Sequence, residues 1–88
     1  MEVEYLRTFA QDLKRIIEPA LLRRIEQTVL EVKAAKSLRE IRNVKKMEDE
    51  SNAFRIRIGD YRIGFYLAKG CVLFARVANR RDIYRIFP

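Results

Sequence analysis

FRIRIGDYRIGFYL, residues 54–67, decides how this chain folds. Its apolar residues recur at every second position on both sides of Gly59-Asp60, the pattern of two strands joined by a tight turn whose first residue, glycine, takes a positive backbone angle. Such a turn sets Ile58 against Tyr61, Arg57 against Arg62, Ile56 against Ile63, Arg55 against Gly64 and Phe54 against Phe65. The apolar pairs then share one face and Arg55, Arg57 and Arg62 share the other, with Gly64 leaving open space beside Arg55. A slip of one residue would bury the arginines, so the hydrophobic pattern specifies the register.

Like charges directly opposite one another in a sheet destabilise it, by a few tenths of a kcal/mol up to about 1 kcal/mol. A phosphate between Arg57 and Arg62 would turn that repulsion into charge-assisted, potentially bidentate hydrogen bonds. The plainer reading is a solvated face whose arginines splay apart or pair with Asp60 and Asp82.

Downstream, Ala68-Lys69-Gly70 reads as a three-residue loop with Gly70 in the left-handed position. That loop sets Phe65 against Leu73 and Ile63 against Ala75, and places Arg76 opposite Arg62. Val72 and Phe74 then fall on the arginine face, where the C-terminal tail is expected to cover them. A two-residue turn would instead send Leu73 and Ala75 to the other side. The closing NRRDIYRIFP adds Arg80, Arg81, Tyr84 and Arg85 near the same end of the sheet.

Upstream, MEVEY reads as a first strand with Val3 and Tyr5 inward. Thr8 and Gln11 have the spacing of a capping box, and Phe9, Leu13, Ile16 and Ile17 follow at helical intervals. Pro19 marks a break and a restart, because proline is tolerated in the first turn of a helix and disrupts its interior. The second helix runs to about Lys36 with Leu22, Ile25, Val29 and Val32 as its stripe, and the two helices form an antiparallel hairpin facing the core. A weak strand is expected over Arg42 to Met47, with Lys45 and Lys46 guarding an edge. The polar Glu48–Ala53 is expected to be a loop. The fold class is therefore α+β: a small antiparallel β-sheet with an N-terminal helical hairpin on one face, ordered β-α-α-β-β-β, in a single domain over 1–88.

Eighty-eight residues, 49% hydrophobic and 35% charged, suit one compact domain in which most apolar positions must pack. No apolar run approaches the roughly 20 residues of a membrane span, and MEVEYLRT lacks a signal-peptide pattern, so a cytoplasmic address is expected. Cys71 is the sole cysteine and there is no histidine. An internal disulfide is excluded, and neither a metal site nor any other cofactor is expected. Cys71 reads as a small buried hydrophobe rather than a nucleophile. The net charge of +7 is uneven: residues 1–53 carry eleven Lys or Arg against ten Asp or Glu, and residues 54–88 carry eight against two. Seven of those eight are arginine, whose planar fork suits phosphate and carboxylate, so a polyanionic partner is indicated.

The short strand, the helical hairpin, FRIRIGDYRIGFYL, a further apolar strand and RRDIY together resemble the RelE/ParE superfamily of toxins from bacterial and archaeal toxin-antitoxin systems, over nearly the whole chain. The resemblance implies a sheet with both helices on one side and a basic side left for the target. For the RelE-like branch it implies cleavage of mRNA in the ribosomal A site. It further implies a cognate antitoxin that lays an acidic amphipathic segment over part of Arg57, Arg62 and Arg80. By the same resemblance Arg62 and Arg80 fall at positions that contact the scissile phosphate. Tyr84 falls at the family tyrosine, as a stacking ring or a participant in proton transfer, while its plainer reading is an aromatic cap over the sheet. Arg55, Arg57, Arg76 and Arg81 are expected to bind substrate.

Metal-independent RNA cleavage by the 2′-hydroxyl needs charge stabilisation, in-line placement and proton transfer. Arg55 and Arg57 stand where well-known RelE members carry lysines, and a permanently protonated arginine is a poor general base. Either the reaction relies mainly on positioning and electrostatics within the ribosome, which is the favoured reading, or the base is Tyr84 or an RNA group, or RNA cleavage has been lost. Two further readings are a ParE-like inhibitor of DNA gyrase without nuclease chemistry and a non-toxic basic RNA-binding module.

Overall fold

The computed structural model of the chain describes residues 1–48 and 50–88. Strand β1 (Glu2–Tyr5) leads into helices α1 (Arg7–Lys14) and α2 (Pro19–Ala34). A 3-10 turn over Leu38–Glu40 is followed by strands β2 (Val44–Lys46), β3 (Ala53–Ile58), β4 (Tyr61–Ala68) and β5 (Cys71–Asn79), and by a last short helix, α3 (Ile83–Ile86). The strands form one sheet in the order β1-β5-β4-β3-β2. Four of them are antiparallel, as expected, but β1 joins β5 in parallel, so the sheet is mixed. No helix is long and apolar enough to cross a membrane among the described residues. Of the polar stretch expected to be a loop, Asp49 lies outside the described residues, and Ala53 already opens β3.

The first hairpin has the register that its alternation dictates, from Ile58 opposite Tyr61 through Arg57 opposite Arg62 to Phe54 opposite Phe65, with Gly59 at φ +57°. Ile56, Ile58, Ile63 and Phe65 meet Phe9 of α1 and Leu21, Ile25 and Val32 of α2 in the main core. Both helices therefore cover one face of the sheet. Pro19 opens α2 in the first turn. Leu21 rather than Leu22 points inward, and Leu22 stays exposed.

The second hairpin departs from expectation. Lys69 and Gly70 both adopt positive φ, +52° and +77°, so the turn has two residues, and Ala68 pairs with Cys71. Two left-handed residues give a turn whose twist matches that of the strands, which the three-residue alternative does not improve on. Val72 and Phe74 consequently pair with Leu67 and Phe65 and enter the main core, while Leu73 moves to the other face beside Tyr66. An irregularity after Phe74 leaves Ala75 unpaired, a bulge that sets Gly64 opposite Arg76 and Arg62 opposite Ala78. Arg76 is thus not opposite Arg62.

Helix α1 serves the bulge. Beyond Phe74, strand β5 has outrun the four residues of β1, and its edge groups turn to the helix: Leu6 N–H donates to the Phe74 carbonyl at 2.9 Å and the Thr8 hydroxyl to the Ala75 carbonyl at 2.7 Å. Thr8 therefore does not cap the helix; α1 begins at Arg7 after Leu6, without a side-chain cap. Asp12, buried, accepts the Val77 N–H at 3.0 Å and both Nε and Nη2 of Arg76, at 2.7 and 3.1 Å. Tyr5 is half exposed rather than inward, although its ring stacks with those of Phe9 and Phe74.

A second, smaller core occupies the arginine face. Met47, Ala53, Ala75, Ile83 and Phe87 cluster there, so the C-terminal segment does cover part of that face. It covers Ala75 and Ala53 rather than Val72 and Phe74. Its Phe87 also fills the space beside Arg55 that Gly64 was expected to leave open: a Cβ at Gly64 would lie under 3.0 Å from three carbons of the Phe87 ring.

Candidate nucleic-acid interface

Arg62 lies at the centre of the uncovered part of the arginine face. One of its terminal nitrogens, Nη1, donates to the Gly59 and Tyr61 carbonyls, both at 2.9 Å, which folds the side chain back on the hairpin turn. Its Nε is buried and has no partner. Burial lowers the pKa of the guanidinium below the ordinary arginine value, and the positive charges of Arg55, Arg57 and Arg80 lower it further, while Tyr84 acts in the opposite sense. Four guanidinium groups and one phenol therefore share one electrostatic neighbourhood.

Each member arrives by a separate route. Arg55 and Arg57 project from β3 by strand alternation, Arg55 half-buried and Arg57 exposed. Arg57 reaches Asn43 Oδ1 at 3.5 Å, the edge of hydrogen-bond distance. Arg80 follows the last residue of β5, and its backbone N–H donates to the Asp60 carbonyl at 2.7 Å, which ties the end of that strand to the first hairpin turn. Tyr84 is carried by α3 and is 58% exposed, too open for an aromatic cap over the sheet; Ile83 and Phe87 on either side are the buried residues. The Arg55 guanidinium lies over the Tyr84 ring, 5.6 Å from its centroid, in a cation–π arrangement.

Two members of the expected set lie elsewhere. Arg76 is engaged by Asp12 and contributes to the fold rather than to the patch. Arg81 is exposed and lines a polar recess with Asp60, Asn79, Arg80 and Asp82, and is not among the residues lining the cleft beside Tyr84. Among the described residues the ion pairs are Arg76 with Asp12 and Arg85 with Asp82. Of the plainer reading, pairing of the patch with Asp60 and Asp82 is not realised among the described residues, whereas the splaying is: Arg62 folds back on the hairpin turn and Arg57 turns to Asn43.

Lys45 and Lys46, expected from the sequence only to guard an edge, lie on β2, an edge strand of the sheet. They also line a cleft of about 490 Å³ together with Arg55, Tyr84, Glu48 and Glu50. The signal for this was their place on the strand paired to Arg55: Lys45 stands directly opposite it. Cys71, by contrast, lies apart from the patch and is half-buried rather than fully buried. Burial, the hydrogen bond from its thiol to Glu4 at 3.5 Å and the charges of Glu4 and Glu2 push its pKa up, away from the reactive thiolate.

A cluster of arginines with no carboxylate in ion-pair contact among the described residues, beside an exposed aromatic ring, suits the backbone and bases of a single-stranded nucleic acid. The chain matches, over residues 3–84, the family model described as the ParE toxin of the type II toxin-antitoxin system parDE. It is 37% identical to the toxin RelE3 of Methanocaldococcus jannaschii, with all of both chains covered. Its fold superimposes on a RelB-RelE antitoxin-toxin complex from Methanococcus jannaschii with a TM-score of 0.80 at 33% identity, covering 96% of this chain and 98% of that one. It also superimposes on the toxin-antitoxin complex RelBE2 from Mycobacterium tuberculosis with a TM-score of 0.61 at 26% identity, covering 90% and 96%. The chain belongs to the ParE toxin family of type II toxin-antitoxin systems, and within it is similar to RelE toxins along its whole length.

Proposed function

We propose that this chain is a toxin that halts translation by cutting mRNA in the ribosomal A site, without a metal, and that a cognate antitoxin silences it. The observation that carries the reading is Arg62: a guanidinium with a buried, unpaired Nε and a depressed pKa, surrounded by three further arginines. Such a site is electrostatically unfavourable at rest and is relieved by an anion, and a phosphate whose charge grows during reaction is relieved most. Arg62 and Arg80 hold the scissile phosphate; Arg55 and Arg57 hold its neighbours. Tyr84 presents its ring to an unstacked base or its hydroxyl to the reacting oxygens. Since none of the arginines is a useful base, the acceleration comes from placement of the 2′-hydroxyl and from charge stabilisation.

The partner reading draws on the relatives of known structure, which are held in RelB-RelE and RelBE2 antitoxin-toxin complexes. An acidic amphipathic segment laid across Arg57, Arg62 and Arg80 would neutralise the patch and block RNA at once.

Arg62→Ala and Arg80→Ala are each expected to lower ribosome-dependent cleavage by about 100-fold or more while leaving the protein folded, the scale on which loss of one transition-state donor acts. Primer extension on mRNA from a translation extract measures this, and undiminished cutting in both variants would rule out the assignment. The family model bears the name of ParE, which favours a second reading as a gyrase inhibitor. Intact mRNA together with gyrase-linked DNA breaks after expression of the toxin alone would select that reading.

A further inference from the structure

Tyr84 is held by a helix too short to hold itself. A helix of four residues, Ile83–Ile86, is a single turn with no stability of its own, so the direction of its side chains depends on its anchors. Those anchors are Ile83, fully buried, and Phe87, 2% exposed, which flank Tyr84 in sequence and are joined by a 2.8 Å hydrogen bond from the Phe87 N–H to the Ile83 carbonyl. The Phe87 ring rests on Gly64, where no side chain fits beneath it, and tilts against the Tyr66 ring at 5.0 Å between centroids. Gly64 is the register partner of Arg55, and Arg55 is the cation over Tyr84. Notch, ring, tyrosine and arginine thus form a closed chain of contacts at the margin of the patch.

We propose that Phe87, seated in the notch at Gly64, is a positioning residue that sets Tyr84 against Arg55. The proposal rests on the reading of Tyr84 as an RNA-contacting group. It accounts for a glycine in the middle of a strand otherwise filled with β-formers: any Cβ there would lift Phe87, tip the single turn of α3 and carry Tyr84 away from the arginines. Phe87 sits at the floor of the cleft that Arg55 and Tyr84 also line, is 2% exposed and has no polar side-chain atom, so its effect on cleavage passes through Tyr84.

The test is steady-state cleavage on mRNA-programmed ribosomes by the wild type, Phe87→Ala, Phe87→Leu, Gly64→Ala, Tyr84→Ala and the double variant of Phe87 and Tyr84, each corrected for its folded fraction. Phe87→Ala is expected to lower kcat about tenfold or more with KM changed less than about threefold, since only a transition-state contact is displaced. Phe87→Leu, which refills the notch, recovers most of the rate, and Gly64→Ala reproduces the loss. The double variant is no slower than Tyr84→Ala alone, because residues acting through one contact are not additive. Unchanged kcat in Phe87→Ala, or losses that multiply in the double variant, overturn the proposal. Should Phe87→Ala fail to fold, Gly64→Ala takes its place in the same cycle. The geometry is also read without activity: the ring-current shift of the Arg55 side-chain protons is expected in the wild type and lost in Gly64→Ala, and its persistence there overturns the proposal. A wild type that cuts nothing while showing that shift would refute the nuclease reading and leave the positioning claim standing.

Discussion

Arg57 and Arg62 face one another across β3 and β4, and no carboxylate comes within ion-pair distance of either among the described residues. Their repulsion is carried by the resting fold, which gives a prediction of unusual sign. Arg57→Gln, at an exposed position whose one side-chain hydrogen bond among the described residues is the long one to Asn43, is expected to stabilise the protein by a few tenths of a kcal/mol up to about 1 kcal/mol. For a domain of this size that is a rise in Tm of up to about 4–8 °C. Thermal unfolding followed by circular dichroism measures it, and a lower Tm would mean that Arg57 serves the fold. On the proposed reading of Arg57 as a phosphate contact, the same substitution is expected to weaken RNA binding, so that stability and activity would move in opposite directions at this residue.

At the scale of elements, the joint between α1 and β5 determines where the arginine face ends. Asp12 accepts three hydrogen bonds from the bulged strand, and its removal leaves the Arg76 guanidinium and the Val77 N–H without their partner. Asp12→Ala is therefore expected to destabilise the protein by about 2–3 kcal/mol, read as a lower midpoint in urea; Asp12→Asn, which keeps an acceptor, should lose less. The two hairpins show what a sequence makes legible. Gly59-Asp60 sits between two runs of strict alternation, so turn, register and faces followed from residue type alone. At the next turn Lys69 adopts a left-handed angle that nothing in its chemistry advertises, and one misread turn residue moved Val72 and Phe74 to the wrong face. The bulge at Ala75 then restores Ile63 opposite Val77, an offset that depends on Asp12, more than sixty residues away in the chain, and no local pattern contains it. The patch was legible as far as alternation reached: Arg55, Arg57 and Arg62. Arg80 and Tyr84 follow near the same end of the sheet from the closing segment, with their roles supplied by the family resemblance alone, and Arg76 stands opposite Gly64 rather than Arg62 because the bulge adds to the shorter turn.

For the whole molecule, charge is segregated by chain order: residues 54–88 carry eight cations against two anions, and α1 and α2 lie outside that segment. Binding to a non-cleavable 2′-deoxy oligonucleotide is accordingly expected to weaken steeply with salt, and each arginine removed from among Arg55, Arg57, Arg62 and Arg80 should reduce the slope of log K against log salt by about 0.7. Fluorescence anisotropy over a salt series measures the slope, and a variant that loses affinity at constant slope would place its arginine outside phosphate contact. The parallel pairing of β1 with β5 bears on how the protein comes into being. Among the described residues β1 has its one sheet neighbour in β5, the strand furthest from it in the chain, so β1 and α1 lack their docking edge until residues 71–79 are in place. Closing that pairing joins Glu2–Tyr5 to Cys71–Phe74 across most of the fold, so β1 is expected to dock late, after the local hairpins of β3, β4 and β5 have formed.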